Sequence, residues 1–117
     1  MLNKREFYIN GKWVKPSKAN DFEVINPSNE EPFAIISLGH EEDTNTAVKA
    51  AKIAFIKWKE GSKEERIELL EKLLRIYKKR FDEMSNAISI EMGAPIDWSS
   101  AVQTASGQSH LEDFILR

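Results

Sequence analysis

The spacing of apolar residues changes near residue 40, and this change constrains the fold more than any other feature of the sequence. Before it, glycine and proline divide the chain into short apolar runs, which are typical of strands and turns. After it, apolar residues recur every three or four positions, which is the period of an amphipathic helix. The sequence therefore predicts an α/β chain (α+β when taken by itself), with β-hairpins over about residues 6–38 and helices over about 42–117.

The first hairpin is predicted by Asn10-Gly11, which separates Phe7–Ile9 from Lys12–Val14. A two-residue type I′ turn needs positive φ at both central positions, and Asn-Gly is a pair that adopts it readily. Further strands are predicted over residues 22–25 and 33–38, which a polar, proline-containing turn separates. We therefore expect a second hairpin.

Three or four amphipathic helices are predicted in the remainder of the chain. The first carries apolar residues at positions 47, 51, 54 and 58. Ser62 followed by Glu65 has the form of a capping box and begins the second helix. Its apolar stripe consists of Ile67, Leu70, Leu74, Tyr77 and Phe81. Gly93 is suited to end a helix and Pro95 to begin another, while the stretch before Gly93 is either one bent helix or two.

Length and charge limit the class of protein. A chain of 117 residues allows one domain or part of a larger one, and we predict a single incomplete domain over 1–117. With 17 basic and 19 acidic residues, neither sign dominates, so no nucleic-acid partner is expected. No apolar run approaches the ~18 residues of a membrane span, and no secretory leader is visible. We expect no membrane association and a cytoplasmic location.

Candidate catalytic residues are scarce. The sequence contains no cysteine, which excludes disulfides, thiolate metal sites and a cysteine nucleophile within these residues. His40 and His110 have carboxylates nearby in sequence, but an acidic helix start and a surface pair explain them better than metal sites. No glycine-rich loop of the phosphate-binding kind is present. The three tryptophans, Trp13, Trp58 and Trp98, are expected to pack in a core or an interface.

Five short motifs follow one another along the chain: the hairpin 7–13, the strand end 22–27, the helix 47–58, the helix start 64–70 and the turn Glu91-Met92-Gly93-Ala94-Pro95. Each motif alone is unspecific, but their order and spacing together are specific. They resemble the opening of the NAD(P)-dependent aldehyde dehydrogenase superfamily, and the resemblance covers about residues 6–117.

The resemblance implies an N-terminal fragment that covers part of a Rossmann-type cofactor-binding domain. Members of the family oxidise an aldehyde to a carboxylic acid through a cysteine nucleophile, with NAD or NADP as cofactor. The nucleophile, the general base and the nucleotide-binding loop lie outside the matched part. The resemblance therefore assigns no catalytic and no cofactor-binding residue here. We expect the chain alone to be inactive and to bind no nucleotide, with an aldehyde as substrate of the intact enzyme only.

A different class of function stays open, namely a non-catalytic structural or interaction module. The apolar stripes over 47–58 and 67–81 have to be buried somewhere, and part of the surface that covers them in the family lies outside this sequence. The module would then self-associate or bind a complementary chain.

The resemblance also implies one metal site. Some family members hold a monovalent cation between carbonyl groups at the strand end and a carboxylate just before the glycine of the turn. The matching residues here are Val24, Ile25 and Glu91. Oxygen ligands suit such a hard cation. The alternative is that Glu91 only caps or pairs near the end of its helix.

Overall fold

The change of period near residue 40 is confirmed by the computed structural model, which describes all of residues 1–117. Strands precede Gly39, namely β1 Leu2–Lys4, β2 Phe7–Ile9, β3 Lys12–Val14, β4 Asp21–Asn26 and β5 Glu31–Ser37. Helices follow, namely α1 Glu41–Trp58, α2 Lys63–Lys79, α3 Phe81–Met92, α4 Ile96–Trp98, a π-helical turn Ser99–Thr104 (the π segment) and α5 Ala105–Leu116. The predicted α/β class and the order of hairpins and helices are therefore confirmed.

Contacts within the chain divide it into two compact units. The first unit comprises Met1–Ile25 and Glu30–Glu60, and the second comprises Asn26–Asn29 and Gly61–Arg117. The single incomplete domain expected over 1–117 stays a prediction.

In the first unit, β2 and β3 form the predicted hairpin, with Tyr8 opposite Trp13 in an antiparallel register. Asn10 and Gly11 have φ values of 53° and 75°, as the type I′ turn requires. The ring centroids of Tyr8 and Trp13 lie 5.2 Å apart. This cross-strand aromatic pair supports the register that the turn sets.

A three-stranded sheet of order β1-β5-β4 contains the second predicted hairpin. The N–H of Leu38 donates to the carbonyl of Asn20 at 2.8 Å, so the start of β4 lies beside the end of β5. On the other side of β5, β1 pairs in parallel, with Leu2 opposite Ala34. β1 was not predicted, because its three residues are exposed and its partner strand is distant along the chain.

Helix α1 follows Gly39 and begins two residues before the predicted Asp43. None of its residues is buried. Ala47 and Ala50 are half-buried on the side of the helix that contacts β2. From residue 51 onward every position of α1 is exposed, including the predicted apolar positions 51, 54 and 58. The apolar stripe is therefore present but largely uncovered.

In the second unit, α2 begins at the predicted capping box. The N–H of Glu65 donates to Ser62 Oγ at 3.1 Å, and the N–H of Ser62 donates to Glu65 Oε2 at 2.9 Å. The predicted stripe of α2 is half-buried along its length. Arg80, with φ −105° and ψ 20°, separates α2 from α3, so the stretch before Gly93 is two helices. Gly93 ends α3 with φ 72°, as predicted.

The fourth helical stretch begins after Pro95, as predicted, but its hydrogen bonding is not uniform. It starts as the short α4, widens into the π segment and continues as α5. The interior face of this stretch carries Thr104, which is fully buried, and Leu111 and Ile115, which are half-buried.

The interior of the chain contains little apolar material. Ala34 is the single buried hydrophobic residue, whereas the other buried residues are Ser37, Ser85, Ser99 and Thr104. The three tryptophans are exposed by 66%, 48% and 58% in sequence order. Trp13 packs on Tyr8 in its hairpin. None of the three lies in a core of this chain, and their packing in an interface stays a prediction. None of the helices is both long and apolar enough to cross a membrane.

Candidate functional site

The most completely buried group of side chains lies where the π segment packs on α3. Ser99 and Thr104 are fully buried, and Ser85 is 2% exposed. Ser99 Oγ donates to the carbonyl of Ser85 at 2.7 Å, and Ser85 Oγ lies 2.9 Å from Thr104 Oγ1. Ser85 Oγ also lies 3.0 Å from the carbonyl of Phe81. Every hydroxyl of this group has a partner, as buried polar groups require.

The π geometry explains how Ser99 and Thr104 share one contact. Residues five apart on an α-helix point about 140° apart, at 100° per residue. A π-helical turn closes i→i+5 hydrogen bonds and brings such residues to nearly the same side. The wider turn therefore places both hydroxyls against α3. Short π stretches are often associated with function, which makes this contact a candidate site.

Tyr77 of α2 joins the same contact from another side. Its hydroxyl donates to the carbonyl of Thr104 at 2.9 Å. A Cβ atom placed on Gly107 would collide with the Tyr77 hydroxyl, so a larger residue at that point of α5 would require the Tyr77 ring to shift. The sequence places Tyr77 on the apolar stripe of the second helix but does not predict its contact with Gly107. An isolated glycine inside a helical pattern is the signal that points to such close packing.

The chemistry of this buried contact is structural. Its hydroxyls bond to backbone carbonyls and to one another, and no histidine or carboxylate contacts them to act as a base. Nearby, Gln103 Nε2 lies 3.6 Å from Met92 Sδ, while the buried Gln103 Oε1 has no hydrogen-bond partner. The contact fixes three helices against one another and supplies no nucleophile–base pair.

The start of α1 holds the acidic group that the sequence places beside His40. Asp43 accepts hydrogen bonds from the His40 N–H at 2.9 Å and from the Ser17 N–H and hydroxyl at 2.8 and 3.1 Å. These bonds, first that from His40 and then those from Ser17, hold the pKa of Asp43 below its ordinary value. Asp43 therefore caps the helix and ties a loop to it. The His40 Nε2 atom is buried without a hydrogen-bond partner.

The carboxylates near His110 have partners of their own. Asp113 pairs with Arg117 at 2.9 Å, and Glu112 pairs with Lys78 at 2.7 Å. The hydrogen bond from Lys78 lowers the pKa of Glu112. The chain contains no group of three or more histidine, cysteine, aspartate and glutamate side chains that could hold a metal ion.

A surface hollow of about 810 Å³ lies in the first unit, with Lys4, Arg5, Trp13, Lys15 and Asp21 among its lining residues. Arg5 forms a two-pronged ion pair with Asp21, at 2.9 and 3.0 Å. This hydrogen bonding lowers the pKa of Asp21 and raises that of Arg5. The two charges of the hollow are therefore paired with each other.

The residues of the predicted cation site lie on two elements. Val24, half-buried, and Ile25, 45% exposed, are adjacent on β4 in the first unit. Glu91 is exposed in the last turn of α3, in the second unit. The site itself stays a prediction.

The turn that ends α3 packs on the Asn-Pro motif within the second unit. A Cβ atom on Gly93 would lie 3.2 Å from Pro27 Cβ and 3.3 Å from Pro27 Cγ. Glycine is needed at this position both for its positive φ and for the space it leaves. Two of the motifs on which the resemblance rests therefore meet in space.

Comparison with known proteins gives one family. The family model described as the aldehyde dehydrogenase family matches residues 13–115. A Pseudomonas 3-succinoylsemialdehyde-pyridine dehydrogenase is 45% identical over 111 residues, which are 94% of this chain and 23% of that protein. The chain thus spans about a quarter of the length of the relatives it matches.

Solved structures agree in fold. An aldehyde dehydrogenase from Bartonella henselae superimposes with a TM-score of 0.97 and 54% identity, over 98% of this chain and 24% of that one. A Pseudomonas syringae aldehyde dehydrogenase mutant, solved with NAD⁺ and octanal, gives a TM-score of 0.92 and 33% identity, over 97% and 24% of the two chains. On the match of the family model to most of its residues, the chain belongs to the aldehyde dehydrogenase family.

Proposed function

We propose that these 117 residues form the amino-terminal part of the cofactor-binding domain of an NAD(P)-dependent aldehyde dehydrogenase, and that they are catalytically inactive alone. The observation that carries the proposal is a family match over residues 13–115 in a sequence that contains no cysteine. The intact enzyme would oxidise an aldehyde to a carboxylic acid. The thiolate that attacks the aldehyde in this family would have to come from elsewhere.

The start of α1 does not fit the phosphates of a dinucleotide. A nucleotide pyrophosphate binds at a helix N-terminus through free N–H groups and the positive end of the helix dipole. At the start of α1, the first turn carries Glu41, Glu42 and Asp43, and the Asp43 carboxylate already bonds to the His40 N–H. A phosphate placed there would meet like charges. The nucleotide would therefore be held by parts of the enzyme outside these residues.

Assay of the purified 117-residue chain tests the proposal. The chain is mixed with aliphatic and aromatic aldehydes and with NAD⁺ or NADP⁺, and reduced cofactor is followed by absorbance. We expect no turnover and no heat of nucleotide binding by titration calorimetry. The Bartonella henselae enzyme, assayed in parallel, is the positive control. Turnover that follows the chain through purification would refute the proposed inactivity.

The exposed apolar side chains favour a second candidate function, a non-catalytic interaction module. Phe55, Trp58 and Phe114 are exposed by 58%, 48% and 67%, although such side chains on a soluble monomer are normally covered in part. Size-exclusion chromatography with light scattering tests this candidate. A monomer that stays stable over a wide range of concentration, and that binds no partner, would contradict it.

We also propose the monovalent cation site of Val24, Ile25 and Glu91 for the intact enzyme, and a cytoplasmic location. Support for the cation site comes from the packing of Gly93 on Pro27, which are neighbours in sequence of the proposed ligands. Thermal melting in potassium, sodium or tetramethylammonium chloride at equal ionic strength tests it. An ion-specific shift that Glu91→Gln abolishes is expected, and equal melting temperatures in the three salts would contradict the site.

A further inference from the structure

The accessible surface of the chain is larger than that of a self-contained protein of its mass. It amounts to 9148 Å² for 13.4 kDa. A folded monomer of this mass exposes about 6,500 Å², and two separate bodies of half the mass would together expose about 7,800 Å². The surplus therefore exceeds about 1,000 Å² even if the two units are counted separately. A standard interface covers about 800 Å² on each partner, so the surplus is large enough for a stable one.

One part of this surplus forms an ordered stripe on α1. Val48, Ala51, Phe55 and Trp58 follow one another at intervals of three, four and three residues, which is the spacing of a seam between two packed helices. We call these four residues the α1 seam. All four are exposed, Val48 by 46%, Phe55 by 58% and Trp58 by 48%. The half-buried Ala47 borders the seam, since at 100° per residue it points about 20° from Trp58 and about 80° from Phe55.

A solved relative contains further chain that is available to cover the seam. The Bartonella henselae enzyme shares this backbone with a TM-score of 0.97, yet only 24% of that protein is matched. Because the fold of the segment is the same in both, side chains that lie outermost here occupy the same positions in the longer protein. There, the other three quarters of the chain are available to cover them.

A second copy of this chain suits the seam less well. Lys52 and Lys59 follow the seam along one side, at the positions that flank a helix pair. Two copies packed antiparallel, seam against seam, would bring these lysines towards their counterparts. The repulsion between like charges opposes that arrangement.

We propose that the α1 seam is a docking surface for the remainder of an aldehyde dehydrogenase fold, and that it binds this remainder when supplied as a separate polypeptide. The inference rests on the proposed function, since it takes the chain to be part of such an enzyme. It adds the surface through which the parts join. It also predicts that joining does not require a continuous chain.

Co-expression tests the proposal without any measurement of activity. The 117-residue chain is produced together with a tagged polypeptide that carries the Bartonella henselae enzyme without the quarter that this chain matches. The complex is recovered through the tag, and its mass is measured by light scattering. We expect one copy of the chain for each tagged polypeptide. Recovery of the tagged polypeptide alone, or dimers of the 117-residue chain in place of the complex, would overturn the proposal.

Two variants on opposite sides of α1 show whether the seam is the surface used. Phe55→Glu is expected to lower recovery about tenfold or more, because docking would bury an unpaired carboxylate. Ile53→Glu is the matched control, since Ile53 is 61% exposed and Phe55 58%, and the two point about 160° apart. Recovery of the Ile53→Glu chain through the tag should stay within about twofold of that of the unchanged chain, because substitutions at exposed positions outside a contact have small effects. Equal losses in the two variants would refute the seam.

Circular dichroism of each isolated variant separates docking from folding. Both side chains are exposed, so both variants should retain the helix content of the original chain. The outcome is also separable from the proposed inactivity. Turnover by the chain alone would refute inactivity and leave docking to be judged by mass, whereas failure to dock would leave the activity assay unaffected.

Discussion

Two regions of the molecule differ in what they bury. One is the contact between α3 and the π segment. The other is the outer side of α1, which carries the α1 seam. The first buries Ser85, Ser99 and Thr104, and each hydroxyl has a hydrogen-bond partner within the second unit. The second leaves Phe55 and Trp58 exposed, and no residue of α1 is buried. In most domains the buried residues are apolar and the exposed ones polar.

The two regions are held by different interactions. The helices of the second unit are fixed by directional bonds among small polar side chains, together with the half-buried stripe of α2. α1 has its acidic cap and one covered side, while most of its apolar surface has yet to be buried. Substitutions in the second unit should therefore act on the stability of the chain itself, and those on the outer side of α1 should act on association.

The largest expected effect comes from a pair of glycines, one in each unit. Gly93→Ala places a Cβ atom 3.2 Å from Pro27 at a residue with φ 72°. Backbone strain and crowding together should cost about 3 kcal/mol of the free energy of unfolding. Gly11→Ala is the matched control, because its φ is 75° and nothing lies within 4 Å of the added atom. It should cost about 1 kcal/mol, from strain alone.

Urea unfolding followed by circular dichroism measures both glycine variants. If Gly93→Ala loses more stability than Gly11→Ala, the difference measures the contact with Pro27. Equal losses would show that this contact contributes nothing beyond the backbone conformation.

A second substitution tests the close approach of α5 to α2. Gly107→Ala forces the Tyr77 hydroxyl away from the carbonyl of Thr104, and it should cost about 2 kcal/mol through overpacking and the lost hydrogen bond. Tyr77→Phe removes the hydroxyl without crowding and should cost about 1 kcal/mol. The double variant should lose less stability than the two single variants lose together, because both changes act on the same hydroxyl. Strict additivity in the cycle would argue against the described contact.

In a third pair of substitutions, removal of a small polar group should cost more stability than removal of a large apolar side chain. Ser99→Ala removes a fully buried hydroxyl and leaves the carbonyl of Ser85 without its donor, at a cost of about 1.5 kcal/mol. Phe55→Ala removes a far larger side chain, but one that is 58% exposed, and should cost less than about 0.5 kcal/mol in the isolated chain. Thermal melting measures both. If Phe55→Ala proved the more damaging, the outer side of α1 would already be packed in the isolated chain.

The smallest effect concerns pH. Since hydrogen bonds from His40 and Ser17 hold the pKa of Asp43 below its ordinary value, its ionised form stabilises the start of α1. This contribution is complete above about pH 4 and is lost as the pH falls further, through the pKa of the folded state. The protection factors of amides in the first turn of α1, which are exchange rates corrected for the intrinsic rate at each pH, should therefore fall on acidification, and much less so in Asp43→Asn.

Amides near Ser99 provide the internal control for acidification, because no carboxylate contacts their side-chain network. An equal loss of protection in the two places would indicate global unfolding and remove the proposed role of Asp43.

Local signals made much of the fold predictable. Asn10-Gly11, the pair Ser62 and Glu65, and Gly93 each specify a turn or a helix end through the conformation of a few neighbouring residues. These features act over a short stretch of chain, so the sequence shows them directly. The stripe of α2 was predictable for the same reason.

Features that depend on distant partners were not predictable in this way. β1 exists through its pairing with β5, and its own residues carry no strand pattern. The π segment has its hydrogen-bond partner, Ser85, on another helix, where it bonds to both Ser99 and Thr104. The tryptophans were expected in a core or an interface, and the sequence alone does not say which residues would cover them. The three residues of the cation site came only from family resemblance and stay a prediction.

The strand β4 has a consequence for the behaviour of the chain in solution. It forms an edge of its sheet, bonded to β5 alone, and it exposes Phe22 by 51% and Ile25 by 45%. A free edge offers its amide and carbonyl groups to any extended peptide. Precipitation on storage should therefore depend on concentration and begin by strand addition at β4 while the helices stay folded. The shelf life of the purified protein would then be set by a strand of six residues.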